Sequence, residues 1–355
     1  GNPLEHYARA ALDACRYREY RPGCYDKKIP EITKSISLED SFRVTKLVQK
    51  SDPDYFYCHV LGHELSSREV RKNPESWKDI IPRCPSGMCS NGCIHGAFQE
   101  RFRAEALSTE ELAAVKPDLK SICEPKPNWR PTSLEQNTCY HALGHLVMYI
   151  TGADISRANK LCGEAALKED GRSFLQFCYD GVYMQLFQPL EPEDFALVEN
   201  IKLKDKKELI PFCAQFSDEA KESCLREGWP LFRDEIKTAE GLTRFCSWHE
   251  SRAAQNKCYN SMFYVLTAGE FHFDQQKINQ FCQSLPAEIR GRCYANAASR
   301  FIETDYALVE KSIGLCGLAA SLGAGEECYE ELLFYSTFNF KKGSQESLRL
   351  CRALP

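Results

Sequence analysis

The sequence predicts an all-α protein built as a disulfide-stapled α/α helical-repeat superhelix or toroid with an elaborated N-terminal half. Three observations lead there. Cysteines come in couples 9 to 16 residues apart, a self-similar block recurs along the chain, and the alternation that marks strands is nearly absent. The couples are Cys15/Cys24, Cys123/Cys139, Cys162/Cys178, Cys213/Cys224, Cys246/Cys258, Cys282/Cys293 and Cys316/Cys328. Such spacing suits staples across short connections, whereas the paired Cys-x2-Cys knuckles of structural zinc are missing. Nineteen cysteines used this way imply an oxidising compartment, secreted or periplasmic. Their odd total leaves at least one thiol without an intramolecular disulfide partner.

The repeat emerges when the second cysteine of each couple is aligned. It opens "CYHALGHLVMY", "CYDGVYMQLFQ", "CLREGWPLF", "CYNSMFYVLTA", "CYANAASRFIE" and "CYEELLFYSTF". Cys224, Cys258, Cys293 and Cys328 follow at intervals of 34, 35 and 35, the length of a two-helix repeat. The earlier intervals, Cys139 to Cys178 and Cys178 to Cys224, are longer, at 39 and 46. After each opening the apolar residues fall at helical spacing, as with Met262, Val265 and Leu266. A second segment then ends in a cysteine, as in "SRANKLC", "GLTRFC", "QKINQFC", "VEKSIGLC" and "SQESLRLC". These segments are too short and polar to be helical alone, so they need a neighbour to cover one face. A staple closing a loop of this length contributes about 3 kcal/mol on the chain-entropy estimate.

This layout resembles the disulfide-stapled α/α repeat proteins related to the Sel1-like and tetratricopeptide groups. The resemblance covers roughly residues 120 to 355 and rests on the period and the cysteine placement, without the glycine and alanine signature positions of those repeats. It implies the architecture and, since such families are mostly binding scaffolds, a non-catalytic scaffold for a peptide or glycan as one functional reading.

The first third departs from the array. We divide the chain into an N-terminal helical segment (1–57), histidine-rich repeats (58–190) and C-terminal α/α repeats (191–355), in one continuous body. "RCPSGMCSNGC" at 83–93 is a loop rich in glycine, proline and serine that carries three cysteines, and "CEPKPNWRPTSLEQNTC" at 123–139 is a long proline-rich connection. Cys84, Cys89 and Cys93, with Cys58 nearby in register, read as disulfides or as a structural zinc site. The opening "GNPLEHYARAAL" has no signal-peptide pattern, so any export signal is expected to have been removed. No stretch approaches the length of a transmembrane span, and a net charge of −5 without a basic run argues against nucleic acid.

The histidines carry the chemistry. "CHVLGHELS" at 58–66 and "CYHALGHLV" at 139–147 share His-x-Leu-Gly-His, so four of the eight histidines sit in two copies of one pattern. Imidazoles four apart project from one helix face and can share a metal. On the cysteine alignment, "CIHGAFQERF" places His95 at the first position and Gln99 at the second, and "CYDGVYMQLF" places Asp180 and Met184 there. Later repeats have Asn260 and Tyr264, Ala295 and Ser299, and Glu330 and Phe334. A pattern needed only for packing should not lose its histidines halfway along. We therefore expect His59, His63, His95, His141 and His145 to converge as ligands of a transition metal, with Gln99 and Asp180 supporting them. Copper is favoured for an imidazole-only set, and zinc or iron also suit it.

The reaction is narrowed by what is missing. The zinc-protease helix needs Glu after its first histidine, and here that residue is Val60 or Ala142. Glu64 or Glu100 would have to act as general base for a metal-bound water. His249 or His272 would complete a dinuclear copper set. Gly62 and Gly144, each preceding a second histidine, signal a close approach by a neighbouring helix or by a ligand. The leading expectation is a metal-dependent oxidoreductase acting on a small molecule, peptide or glycan. A zinc-dependent hydrolase and the binding scaffold are the alternatives.

Overall fold

The computed structural model describes residues 2–102 and 106–355. About 73% of the chain is helical, with no strand among the described residues, so the all-α expectation is met. The N-terminal helices are α1 (Glu5–Cys15), α2 (Arg21–Ile32), α3 (Leu38–Ser51), α4 (His59–Lys72), the single turn α5 (Trp77–Ile80) and α6 (Gly92–Phe102). There follow α7 (Thr109–Ser121), α8 (Ser133–Ile150), α9 (Ile155–Ala166) and α10 (Leu175–Phe187). Side-chain caps start several of them. Ser37 opens α3, Thr132 opens α8 and Asp154 opens α9, while Ser108 and Glu111 form a reciprocal capping box on α7. The centre of this half is α8, where every residue from Ala142 to Ile150 is buried. A helix that is apolar on all sides belongs inside, and this one has helices packed around it.

The C-terminal half continues with α11 (Pro192–Val198), α12 (Leu209–Cys213), α13 (Asp218–Glu227), α14 (Arg233–Ile236), α15 (Ala239–Cys246) and α16 (Arg252–Gly269). It ends with α17 (Gln275–Ser284), α18 (Ala287–Thr304), α19 (Val309–Ala320), α20 (Gly325–Phe338) and α21 (Gln345–Ala353). All seven cysteine couples are disulfides. Six of them join a helix to the next: α1 to α2, α9 to α10, α12 to α13, α15 to α16, α17 to α18 and α19 to α20. The loop cysteines make two more disulfides, Cys58–Cys89 and Cys84–Cys93, so none of them is available to zinc. Cys351 is left as an exposed thiol.

The last third returns to the first. Phe273 stacks edge-on against Phe56 and Phe301, with ring centres 5.0 and 5.3 Å apart. The Tyr306 ring fills the space where a side chain on Gly87 would lie. These contacts bring α18 against the turn that precedes α6, and that turn belongs to the histidine site.

Candidate metal centre

Two helix pairs, α4 with α6 and α8 with α10, build the site by backbone contact. A Cβ on Gly62 would lie 2.9 Å from the Cys93 nitrogen, and one on Gly92 would overlap the His59 carbonyl. In the other pair, a Cβ on Gly144 would overlap the Cys178 carbonyl and lie 2.8 Å from Gly181 Cα; one on Gly181 would overlap the His141 carbonyl. The mid-helix glycines therefore serve the approach of a neighbouring helix. Each costs about 1 kcal/mol in helix propensity against alanine, which the close packing offsets.

These contacts also set the register, and they correct the alignment by cysteines. Gly92 and Gly181 make the same contact with the first histidine of the partner helix. Three residues after these glycines come His95 and Met184. His95 thus corresponds to Met184, and not to Asp180 as the cysteine register implied. Asp180 is turned to other work, in an ion pair of 2.7 Å with the buried guanidinium of Arg226.

All five expected histidines come together. Ring centres of His59, His63 and His95 lie 4.6 to 5.3 Å apart, and their nitrogens converge within the 4.8 Å reach of one ion. His95 stacks nearly parallel on His141 at 5.3 Å and lies 5.5 Å from His145, joining the halves. His63, His95 and His145 are buried, whereas His59 and His141 keep partial exposure. Burial pushes the His59 imidazolium pKa down to about 4, with Arg300 adding repulsion, and lowers that of His95, His141 and His145. These four rings are neutral at pH 7, the form that ligates metal.

The outer hydrogen bonds determine which nitrogen faces inward. His59 Nδ1 donates to the Ser90 carbonyl at 3.2 Å, so its Nε2 carries the lone pair. That carbonyl is presented by a strained turn: Cys89, Ser90 and Asn91 all have φ near +50° (53°, 48° and 57°). Left-handed backbone costs L-residues about 1–2 kcal/mol each, and here two disulfides, Cys58–Cys89 and Cys84–Cys93, anchor the turn on both sides. His63 Nδ1 donates to Gln99 Oε1 at 3.1 Å, and His145 Nδ1 to Gln185 Oε1 at 2.7 Å. The Gln185 amide is itself oriented, since its nitrogen donates to Asp194 Oδ1 at 3.1 Å. Such acceptors behind ligating histidines are the usual means of holding a ring to its metal.

Gln99, expected beside the histidines, lies against His63, and Gln185 is a partner that the sequence reading missed. In the cysteine alignment it falls one residue beyond Gln99, so a one-residue slip hid it. The other expected residues lie elsewhere. Glu64 and Glu100 both pair with Arg71, at 2.6 and 3.1 Å. His249 is buried beside Arg226 with neither ring nitrogen hydrogen-bonded, and His272 is exposed on a left-handed turn. A shallow hollow of about 590 Å³ between α15 and α17 is lined by residues such as Arg244, Ser247 and Ser284, and by no histidine.

No family model matches the chain, and neither do the curated proteins or the solved structures.

Proposed function

We propose that this chain is an exported metalloprotein that holds a transition metal on His59, His63 and His95, with copper the favoured ion and metal-dependent oxidation the favoured activity. One observation carries the reading. Nε2 of His59 and Nε2 of His63 lie 3.0 Å apart, while the Nδ1 atoms of both rings donate to oxygen acceptors. With a nitrogen of His95 they gather within the spacing of ligands on one ion. Ligands of one tetrahedral ion at about 2.0–2.1 Å stand about 3.3 Å from each other, close to the separation seen.

Copper and oxidation are favoured over zinc and hydrolysis for two reasons. An imidazole-only set suits copper, and Glu64 and Glu100, the carboxylates nearest in sequence, are both engaged in ion pairs with Arg71. Bound copper would supply the electron transfer that the side chains lack. The chain's own part is to fix the rings through Ser90 and Gln99. Partial exposure of His59 and His141 marks the side from which a small molecule, peptide or glycan would reach the ion. The disulfides support export, because such bonds persist in oxidising compartments. No helix of the described residues is long and apolar enough to cross a membrane.

The test is elemental analysis of protein purified without a histidine tag. We expect at least one copper or other transition metal per chain, lost in His63→Ala while the far-ultraviolet circular dichroism is kept. Less than a tenth of a metal per chain after supplementation would reject the reading.

A further inference from the structure

The helix pair α8/α10 repeats the ligand geometry of α4/α6 with one donor exchanged. His141 stands where His59 does, His145 where His63 does, and Met184 where His95 does. The distances follow the same plan. His141 Nε2 lies 3.2 Å from His145 Nε2 and 3.3 Å from Met184 Sδ. His145 is oriented from behind by Gln185, as His63 is by Gln99. The Asp194–Gln185 bond ensures that His145 turns its Nε2 lone pair toward His141. The thioether sulfur has no protons to donate and offers only a soft lone pair. Two imidazole nitrogens and a thioether gathered around one point form a donor set of a different character from three imidazoles.

We propose that His141, His145 and Met184 form a second metal position, selective for a soft monovalent ion, Cu(I), next to the three-histidine position. Thioether donors select Cu(I) from the divalent ions that imidazoles also accept. The stacked rings of His95 and His141, 5.3 Å apart, place one ligand of each position in contact. The two positions are therefore adjacent yet chemically unequal. The α4/α6 set accepts copper in either oxidation state or zinc, while the α8/α10 set holds copper in its reduced state. This inference rests on the metal reading above and adds that the centre has two unlike halves.

The experiment is an anaerobic titration of the whole, metal-stripped protein with Cu(I) against a coloured Cu(I) chelator, run beside a Zn(II) titration. Wild type should take two Cu(I) and one Zn(II). Met184→Leu should lose one Cu(I), with at least tenfold weaker competition at that position, and leave Zn(II) binding unchanged. Met184→His, which copies the His95 position, should restore the second ion but admit a second Zn(II). X-ray absorption of the Cu(I) form should show a sulfur neighbour in wild type and in His63→Ala, absent from both Met184 variants. Circular dichroism checks that each variant is folded. Should Met184→Leu bind two Cu(I) as tightly as wild type, or should the sulfur signal survive in it, the second position is refuted and the three-histidine site stands. Wild type that binds neither ion would overturn both readings.

Discussion

The two halves of the molecule share stapled helices but treat their interior polar groups in opposite ways. In the C-terminal half a set of them is linked around Glu303 and Asn260. Asn296 donates to Asn260 at 3.1 Å, the hydroxyls of Tyr264 and Tyr335 both donate to Glu303, and the Arg300 guanidinium lies 3.7 Å over the Tyr264 ring. In the N-terminal half the helices carry imidazoles whose outer nitrogens are committed to Ser90, Gln99 and Gln185. Their inner nitrogens then face one another. One interior joins tyrosine, asparagine and arginine side chains around Glu303, and the other gathers imidazoles within the spacing of a single ion. The metal reading proposed above rests on that gathering of nitrogens.

The contrast can be broken most severely at the backbone contact. Gly144→Ala drives a methyl into the Cys178 carbonyl, so α8 and α10 must separate. We expect a loss of roughly 3 kcal/mol or failure to fold, read by chemical denaturation. Gly163→Ala, in α9 with open space around its Cβ, should instead gain about 0.5–1 kcal/mol.

Next in size is the orientation of the rings. Gln99→Leu removes the acceptor behind His63 and should weaken metal binding about 10- to 100-fold in a competition titration. Gln99→Glu, which keeps an acceptor, should hold affinity within a few-fold. Equal effects of the two would show that Gln99 only fills space.

The C-terminal interior provides the opposite control. Tyr264→Phe removes one of two hydroxyls from Glu303 and should cost about 1–2 kcal/mol of stability. Metal stoichiometry and affinity should not change, since α16 contributes no ligand. A loss of metal in this variant would mean that the two halves are one site.

The smallest effect is a dependence on pH at His249. Burial and the charges of Arg226 and Lys221 push its pKa down to about 4, below the usual 6.5. The folded state therefore resists the proton that the unfolded chain accepts. Its stabilising contribution is present above pH 6.5 and declines as pH falls toward 4. Between pH 7 and pH 5.5 this decline amounts to about 1 kcal/mol. His249→Leu should lose stability less steeply over that interval in urea titrations. An unchanged slope would place the proton elsewhere.

Much of this architecture could be read from spacing. A cysteine couple closing a short loop has few other partners within reach, so seven pairings followed from sequence separation alone. Cys58–Cys89, 31 residues apart, did not, because it depends on how α4 packs on α6. The five histidines were legible as a set because residues four apart on a helix must share a face, whatever the helix packs against. Which residue corresponds to His95 was not legible. The cysteines mark where helices are stapled, whereas register is decided where the glycine backbones meet, and the two differ.

The sequence by itself determined the helical class, the staples within short loops and the pairing of histidines on each helix, since all of these depend on neighbours within a few turns. Only the tertiary structure decided that the two helix pairs meet through His95, that Met184 takes in one pair the position His95 has in the other, and that a strained turn presents Ser90 to His59. Those outcomes come from contacts between segments distant along the chain, where side-chain shape and backbone approach, rather than local periodicity, set the geometry.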